Sequence, residues 1–448
     1  MKIIIIGGGI GGVAAYHALR KHLAEASPPV EIVVFESHES IVSTTSIIGG
    51  GLGLAPNGLR AISCISPDAA AYIEERGYPG EVMTFRNSKG ALLGRLRIGR
   101  KARYGLGELM LPRATVHEAL IQELRPGAVA WGKRVRYVKE NRDGVEVTTE
   151  DGMVETADLV IGADGVRSIV REAIYGQRYE AEYENLTGVA GFIPMSSVSE
   201  SLRESLRQDP VTMTFGAKGF FGYSPTSADP TDLENPANQL MWWSTYETAE
   251  PPPRDTPPAA VLAQLTERHA HWASPADTAA HPVFRELMAL GCGLAAHTLL
   301  ILPGYVTPRL PRWSSLSGSG RILLLGDAAH AMPPHAGQGV ACAVEDAVAI
   351  ALLLKHYCVS HRFGVEDALA RTATAYEAVR VKRVGRILDV AKHGGETKKR
   401  KSWWQEKIRD WALWVVCKLP ESLNDAQFAY DVEAEIAKYI AKAQCEPK

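Results

Sequence analysis

Two small-residue turns, each fed by an apolar strand and each followed by helix-forming sequence, set the frame for this chain. Near the start, Gly7-x-Gly9-x-x-Gly12 follows Ile3-Ile4-Ile5-Ile6. Some 320 residues later, Leu323-Leu324-Leu325 runs into Gly326-Asp327-Ala328-Ala329-His330, and then Gly337-Gln338-Gly339. In a dinucleotide turn the first glycine allows the tight bend, the second lets a pyrophosphate approach the backbone, and the third lets helix and strand pack closely. The helix N-terminus then offers unpaired N–H groups and a positive dipole end to the phosphates. Glu36 ends the next strand, Val30–Phe35, 24 residues after Gly12. A carboxylate there accepts from ribose hydroxyls and repels a 2′-phosphate. The first turn alone is weak evidence for any dinucleotide. The pair, in this order and at this separation, reads as two ends of one cofactor site.

Composition narrows the class. The 448 residues are 46% apolar and 22% charged, ordinary for a globular chain long enough for two intertwined domains. A formal charge of −2 gives no sign of a nucleic-acid partner. The six cysteines are scattered without Cys-x-x-Cys, which points to a reducing, cytoplasmic setting rather than a disulfide framework or zinc site. The N-terminal apolar run is too short for a signal peptide. No stretch approaches the roughly 20 apolar residues of a membrane span. His330 and His335 stand five apart with no matching acidic or sulfur ligand, so no metal is expected.

Along the chain, residues 1–36 read as a βαβ unit, with the helix from Gly12 to about Ala24. Ile47–Leu59 is glycine-rich and turns into a helix at Pro56-Asn57-Gly58. Residues 80–100 suggest a hairpin around Lys89-Gly90, and Leu111-Pro112-Arg113 leads into a helix. Val135–Ile161 reads as a meander turning at Asp143-Gly144 and Asp151-Gly152. Residues 176–250 mix aromatic, glycine and β-branched residues, as in a sheet whose aromatic face closes a cavity. Tyr223, Trp242 and Trp243 are candidates to line it, against core packing as the ordinary role of strand aromatics.

A third element, Asp158-Leu-Val-Ile-Gly-Ala-Asp164-Gly165-Val-Arg167-Ser168, lies between the two turns. Together the three resemble the single-component FAD-dependent monooxygenases of the aromatic-hydroxylase type, over most of residues 1–390. The resemblance implies an α/β fold, a single-Rossmann FAD-binding domain interleaved with a mixed β-sheet substrate domain and ending in C-terminal helices. It divides the chain into FAD-binding parts at 1–79, 104–175 and 301–390, a substrate-domain hairpin at 80–103, a β-sheet substrate domain at 176–300 and a helical tail at 391–448. Gly7, Gly9, Gly12 and Glu36 would hold the adenosine and pyrophosphate end. Asp327 would accept from the ribityl hydroxyls. Pro334 keeps the family's proline place, and Gly337, Gln338 and Gly339 would present backbone N–H groups to the flavin N1–C2 edge, where reduction places negative charge. Asp164 would hold a loop near the pyrophosphate, and Arg113 would face the phosphate and ribityl region. Glu345-Asp346 fits the family's acidic helix pair or a solvated face. Ala341 departs from the family, which often has Asn there.

The reaction so implied is an NAD(P)H-dependent monooxygenation, through a flavin C4a-hydroperoxide, that hydroxylates or epoxidises a small aromatic or alkene substrate. Tyr223 is the candidate catalytic side chain. No second dinucleotide turn follows a strand, so NAD(P)H would visit the flavin without its own Rossmann domain. A flavin dehydrogenase or reductase on the same scaffold, and a non-enzymatic FAD-binding protein, are the alternatives. In the tail, Trp404, Ile408, Trp411, Ala412, Val415 and Leu419 share one helical face within 403–419. Docking of that face on the body is the expectation, with peripheral membrane contact as its rival.

Overall fold

The computed structural model describes residues 1–40 and 49–445. The first two residues of the glycine-rich stretch Ile47–Leu59 therefore lie outside the described residues. At the centre is a five-stranded parallel sheet in the order Ile322–Leu324, Leu159–Gly162, Lys2–Ile6, Glu31–Phe35, Val129–Ala130. Its inner strands are apolar on both faces because both faces are covered, the helix Ile10–His22 and the strands Gly144–Thr149 and Val154–Ala157 being among the elements packed on them. Ile3, Ile4 and Ile5 have no exposed surface. The first helix, Ile10–His22, and the long-buried helix Gly339–Leu354 pack against one another beside this sheet. Ile10–His22 carries Arg20, Lys21 and His22 in its last turn, where cations complement the helix dipole.

The second layer is a seven-stranded mixed sheet in the order Leu300–Val306, Glu182–Pro194, Gln239–Glu247, Gly219–Pro225, Val211–Gly216, Val82–Asn87, Leu92–Arg97. Only the Val211–Gly216 and Val82–Asn87 pair runs parallel. The hairpin expected at 80–100 is present and is the far edge of this sheet, turning at Gly90 with φ +80°. One face packs on the helices Pro258–His269 and Val283–Cys292, burying Phe221, Tyr223, Leu240, Trp242 and Phe284. The other face looks toward the parallel-sheet domain. The strands Val135–Asn141, Gly144–Thr149 and Val154–Ala157 form the expected meander.

Two expected divisions shift. Leu300–Val306 pairs with Glu182–Pro194 and so belongs to the substrate sheet, beyond the division drawn at 300/301. The division at 390/391 falls inside one continuous 32-residue helix, Val365–Glu396. The helix ends at Glu396, where the Thr397 N–H donates to the Gly394 and Gly395 carbonyls, a few residues later than the sequence suggested. Pro56-Asn57-Gly58 is itself the first turn of the helix Pro56–Ile65, with proline in its usual first-turn place.

Candidate active site

The Gly7–Gly12 turn has the geometry that a phosphate cradle requires. Gly7 sits at φ +106°, and a Cβ there would lie 2.5 Å from the Ala163 carbonyl oxygen. A Cβ on Gly12 would lie 1.8 Å from the Gly7 oxygen. By contrast, nothing lies within 4 Å of a Cβ on Gly9, which is the N-cap of the helix Ile10–His22. The two flanking glycines are thus required by packing, and the middle one leaves space in front of the helix N-terminus. That combination is what a pyrophosphate needs.

Glu36 is buried, and its Oε2 accepts from the Gly8 N–H at 2.6 Å. Its Oε1 accepts from the His38 N–H at 2.9 Å and faces His38 Nδ1 at 2.6 Å, with the Ser37 hydroxyl at 3.1 Å. Burial pushes this carboxyl up, but the hydrogen bonds from His38, Gly8 and Ser37 outweigh it and hold it below the usual range. The carboxylate therefore ties the glycine turn to the end of the second strand, and only Oε2 retains an open acceptor position. His117 closes the same turn from the other side, with Nε2 2.9 Å from the Gly8 carbonyl oxygen. It sits on the helix Arg113–Ile121, whose first residue, Arg113, is exposed at this edge. Asp164 abuts Gly7. Its Oδ2 accepts from the Ile169 and Val170 N–H groups at 2.8 and 3.1 Å. It thus caps a helix rather than standing free, while its Oδ1 is buried without a hydrogen-bond partner among the described residues. Burial raises this carboxyl.

At the other end, Asp327 is exposed between two buried runs, 321–326 and 328–330. It starts a short helix at the carboxyl edge of the parallel sheet, where ligands of such sheets bind. The loop is held from behind by the acidic pair, which is fully buried rather than solvated. Asp346 Oδ2 accepts from the Gly326 N–H at 3.0 Å and lies 2.6 Å from His330 Nε2, and its Oδ1 accepts from Arg380 Nε at 2.8 Å. Glu345 accepts from Arg383 Nε and Nη2, each at 2.8 Å, and pairs with Arg380 Nη1 at 2.7 Å. Burial raises both carboxyls. For Glu345 the Arg380 and Arg383 charges overcome it, and for Asp346 His330 and Arg380 do, leaving both below the usual range.

Asn57 extends this network to the second loop. Its Nδ2 donates to Glu345 Oε1 at 2.7 Å and to Gln338 Oε1 at 2.9 Å. The Gln338 side chain is therefore turned inward, and only its backbone belongs to the loop surface. Gly337 is in the left-handed region at φ +61°, and neither Gly337 nor Gly339 has an atom within 4 Å of a Cβ position. Pro334 is exposed on the same loop. Ala341, where the family often has Asn, lies against Gly58, whose Cβ would come within 2.9 Å of the alanine Cβ. The polar contacts beside it come from Asn57. Arg380, Arg383, Asn57 and His117 carried no local motif, and only the fold brings them to the two loops.

The loop Pro334–Gln338 opens into a cavity of about 450 Å³. Alternate residues of the substrate sheet form its wall: Met83 and Phe85, Met213 and Phe215, Phe220, and Met241, Trp243 and Thr245. Strand periodicity of two then puts Phe221 and Tyr223 on the opposite face. Tyr223 is buried there, in register with Trp242 and under the helices, so the expectation that it lines the cavity is corrected. Trp242 stacks on Phe221 at 5.7 Å in that same core and also borders the cavity, as Trp243 does.

Three titratable groups in the wall were given no part in the substrate site by the sequence: Glu108 and Lys398, and His335, which was weighed only as a metal ligand. Glu108 is buried, its Oε2 has no partner among the described residues, and burial pushes its carboxyl up to about 8. His335 is pushed down to about 4 by burial and the Lys398 charge. Burial lowers Lys398 to about 8, and its Nζ sits 4.5 Å from the Phe220 ring centroid.

The described groups fit FAD: a cradle that only glycine allows, an exposed carboxylate at the second turn, and a glycine loop opening on an apolar cavity. Comparison with known proteins agrees. The sequence profile described as "FAD binding domain" matches residues 1–284 and 314–384. The chain is 28% identical over 410 residues to salicylate hydroxylase of Pseudomonas putida, covering 88% of this chain and 86% of that one. It is 26% identical over 405 residues to the chloroplastic zeaxanthin epoxidase of Solanum lycopersicum, covering 88% of this chain and 54% of the relative. Its fold superposes on Klebsiella pneumoniae HpxO, solved with FAD and uric acid, with a TM-score of 0.74 over 98% of this chain and 97% of the other, at 22% identity. This chain is a member of the FAD-dependent monooxygenase family of the aromatic-hydroxylase type, with FAD as its cofactor.

Proposed function

We propose that the protein uses NAD(P)H and dioxygen to place one oxygen atom on an electron-rich aromatic ring or alkene held in the cavity. The observation that carries this reading is the shared wall. The glycine loop suited to the flavin ring and the apolar side chains of the substrate sheet border one cavity of about 450 Å³. When bound there, FAD supplies the electrons from NAD(P)H that activate dioxygen, one atom entering the substrate and the other leaving as water.

The chain's own residues bind, orient and exclude water. Gly9 and the helix behind it would receive the pyrophosphate, with Arg113 as cationic neighbour and Glu36 Oε2 as acceptor for a ribose hydroxyl. Asp327 would accept from the ribityl chain, and the Gly337–Gly339 backbone would donate to the ring edge. The methionine and aromatic wall keeps water from the reacting centre. Glu108, protonated at neutral pH, is suited to donate a hydrogen bond to a carbonyl or hydroxyl oxygen of the substrate. Lys398 is suited to draw an acidic oxygen toward Phe220. Relatives named as a hydroxylase and an epoxidase support both outcomes on this scaffold.

The test is a screen of NADH and NADPH oxidation against phenols, indoles and polyketide-like aromatics. Stimulation by a subset of them supports the reading. A flavoprotein that oxidises NAD(P)H with none of them, and without oxygen uptake, contradicts it.

Two substitutions probe the site. Asp327→Ala should weaken FAD binding roughly tenfold to a hundredfold, since a charge-assisted hydrogen bond is worth about 1.5–3 kcal/mol. Titration of the apoprotein by flavin fluorescence measures it, and an unchanged dissociation constant would remove Asp327 from the cofactor site. Glu108→Gln tests the buried acid through pH. An ordinary glutamate titrates near 4.5, and Glu108 keeps its proton to about 8. Between those values the unfolded chain releases a proton that the folded chain retains. Stability from this group is therefore full below the lower value and is lost as pH rises through the upper one. The loss approaches about 1.4 kcal/mol per pH unit within that window. Thermal denaturation at pH values spanning the window should show a steeper decline for the wild type than for Glu108→Gln. Parallel profiles would mean that Glu108 ionises normally.

A further inference from the structure

The tail helix Trp403–Val416 is mounted with its apolar side outward. Trp403, Trp404, Ile408, Trp411 and Trp414 are each at least half exposed. Eight of the nineteen exposed large apolar side chains among the described residues fall between residues 403 and 423, which makes this one patch rather than scattered surface. The side that docks is the less apolar one. Arg409 is buried and its Nη1 donates to the Gly216 carbonyl at 2.8 Å, while Leu413 and Cys417 rest on the Phe85–Phe215–Phe220 cluster. The expectation that the tryptophan face docks on the body is thereby reversed.

We propose that this face is an in-plane anchor for an anionic phospholipid surface. Tryptophan flanked by cations suits the headgroup boundary, with rings at the interface and long basic stems reaching outward. Seven basic residues and two acidic ones lie between Lys398 and Leu419; Arg409 is buried and Lys398 borders the cavity, which leaves five cations, Lys399, Arg400, Lys401, Lys407 and Lys418, for an outer surface. At the end of the helix, a cleft bordered by Val416, Leu419 and Leu423 is also lined by Arg95, Arg97, Arg100 and Arg103. These arginines are paired with Asp209, Glu421 and Asp425, yet Arg95 and Arg97 remain at least half exposed. A lipid phosphate placed there meets cations beside apolar side chains. A second copy of the chain is the poorer occupant, because a two-fold interface sets each patch against itself and brings these cations together. No helix among the described residues is long and apolar enough to cross a membrane, so the contact is peripheral. Because the helix rests on phenylalanines that also line the cavity, a bilayer seated on it lies close to the cavity. That consequence for a lipid-soluble substrate rests on the function proposed above, whereas the docking does not.

The experiment compares the full-length, FAD-loaded protein with the triple variant Trp404→Ser, Ile408→Ser, Trp411→Ser, all at exposed positions. Co-sedimentation is measured with vesicles of phosphatidylcholine and phosphatidylserine, and with vesicles of phosphatidylcholine alone. The wild type should bind the anionic vesicles more tightly than the neutral ones, and the variant should bind them about tenfold or more weakly with its flavin content unchanged. Vesicle binding without oxygenase turnover would leave the anchor standing and sink the functional reading instead. Absence of vesicle binding, equal binding by the variant, or a wild-type dimer that the variant converts to monomer would each overturn the anchor.

Discussion

A Gly12→Val protein is expected to emerge without FAD. The Cβ alone would sit 1.8 Å from the Gly7 oxygen and 3.0 Å from the Gly7 carbonyl carbon, both backbone atoms. Gly7 has no room to retreat, because it is itself pressed on Ala163 at φ +106°. The helix must therefore move off the strand, and its N-terminal N–H groups leave the position where phosphates would meet them. Gly9→Ala is the informative companion. Its methyl meets no protein atom within 4 Å, so folding should survive while the space for the pyrophosphate shrinks. Flavin titration together with thermal denaturation separates the two. Gly12→Val should lose flavin and stability, and Gly9→Ala should lose mainly flavin. Wild-type affinity in both would show that this turn does not hold the cofactor.

Arg380→Ala should be among the most destabilising single substitutions in the chain. Arg380 has no exposed surface and meets Glu345 and Asp346, which are equally buried. Removing the guanidinium leaves Asp346 with His330 and Glu345 with Arg383, inside a packed core. Breaking a buried pair in this way costs about 3–5 kcal/mol. The damage also has a direction. Asp346 holds the Gly326 N–H, and Glu345 holds Asn57, which holds Gln338. The loops at Gly326–Asp327 and Gly337–Gly339 should loosen together. Thermal unfolding should fall sharply, and FAD should dissociate at lower temperature than in Asp327→Ala, which removes one exposed carboxylate. An Arg380→Ala protein with unchanged unfolding would mean that the network carries no stability.

How much of this was legible before the structure depends on the range of the interaction. The strand–turn–helix units were readable because each is local: the isoleucine run, the glycine spacing and the terminal Glu36 occupy one stretch of sequence. The hairpin at residues 80–100 was readable from its turn, but not its place at the far edge of a sheet whose other strands lie about a hundred or more residues away. Tyr223 was misplaced because an aromatic-rich strand offers two faces one residue apart, and composition does not say which face the helices cover. The tail helix failed for a related reason. Its apolar stripe was correctly placed, but a stripe shows only that a face wants cover, and the body was already served by Arg409, Leu413 and Cys417. Glu108 and Lys398 had no signal at all. An isolated acid and one lysine of a basic run become notable only when folding removes their water.

The central claim is that one atom of dioxygen ends in the substrate. The direct measurement supplies the FAD-loaded protein with NAD(P)H, a substrate that stimulates its oxidation, and heavy-isotope dioxygen, and then determines the product mass. The account predicts one heavy oxygen atom per product molecule, with NAD(P)H and oxygen consumed in equal amounts. A product oxidised without heavy oxygen, or carrying oxygen drawn from water, would contradict it and make the protein a dehydrogenase on the same scaffold.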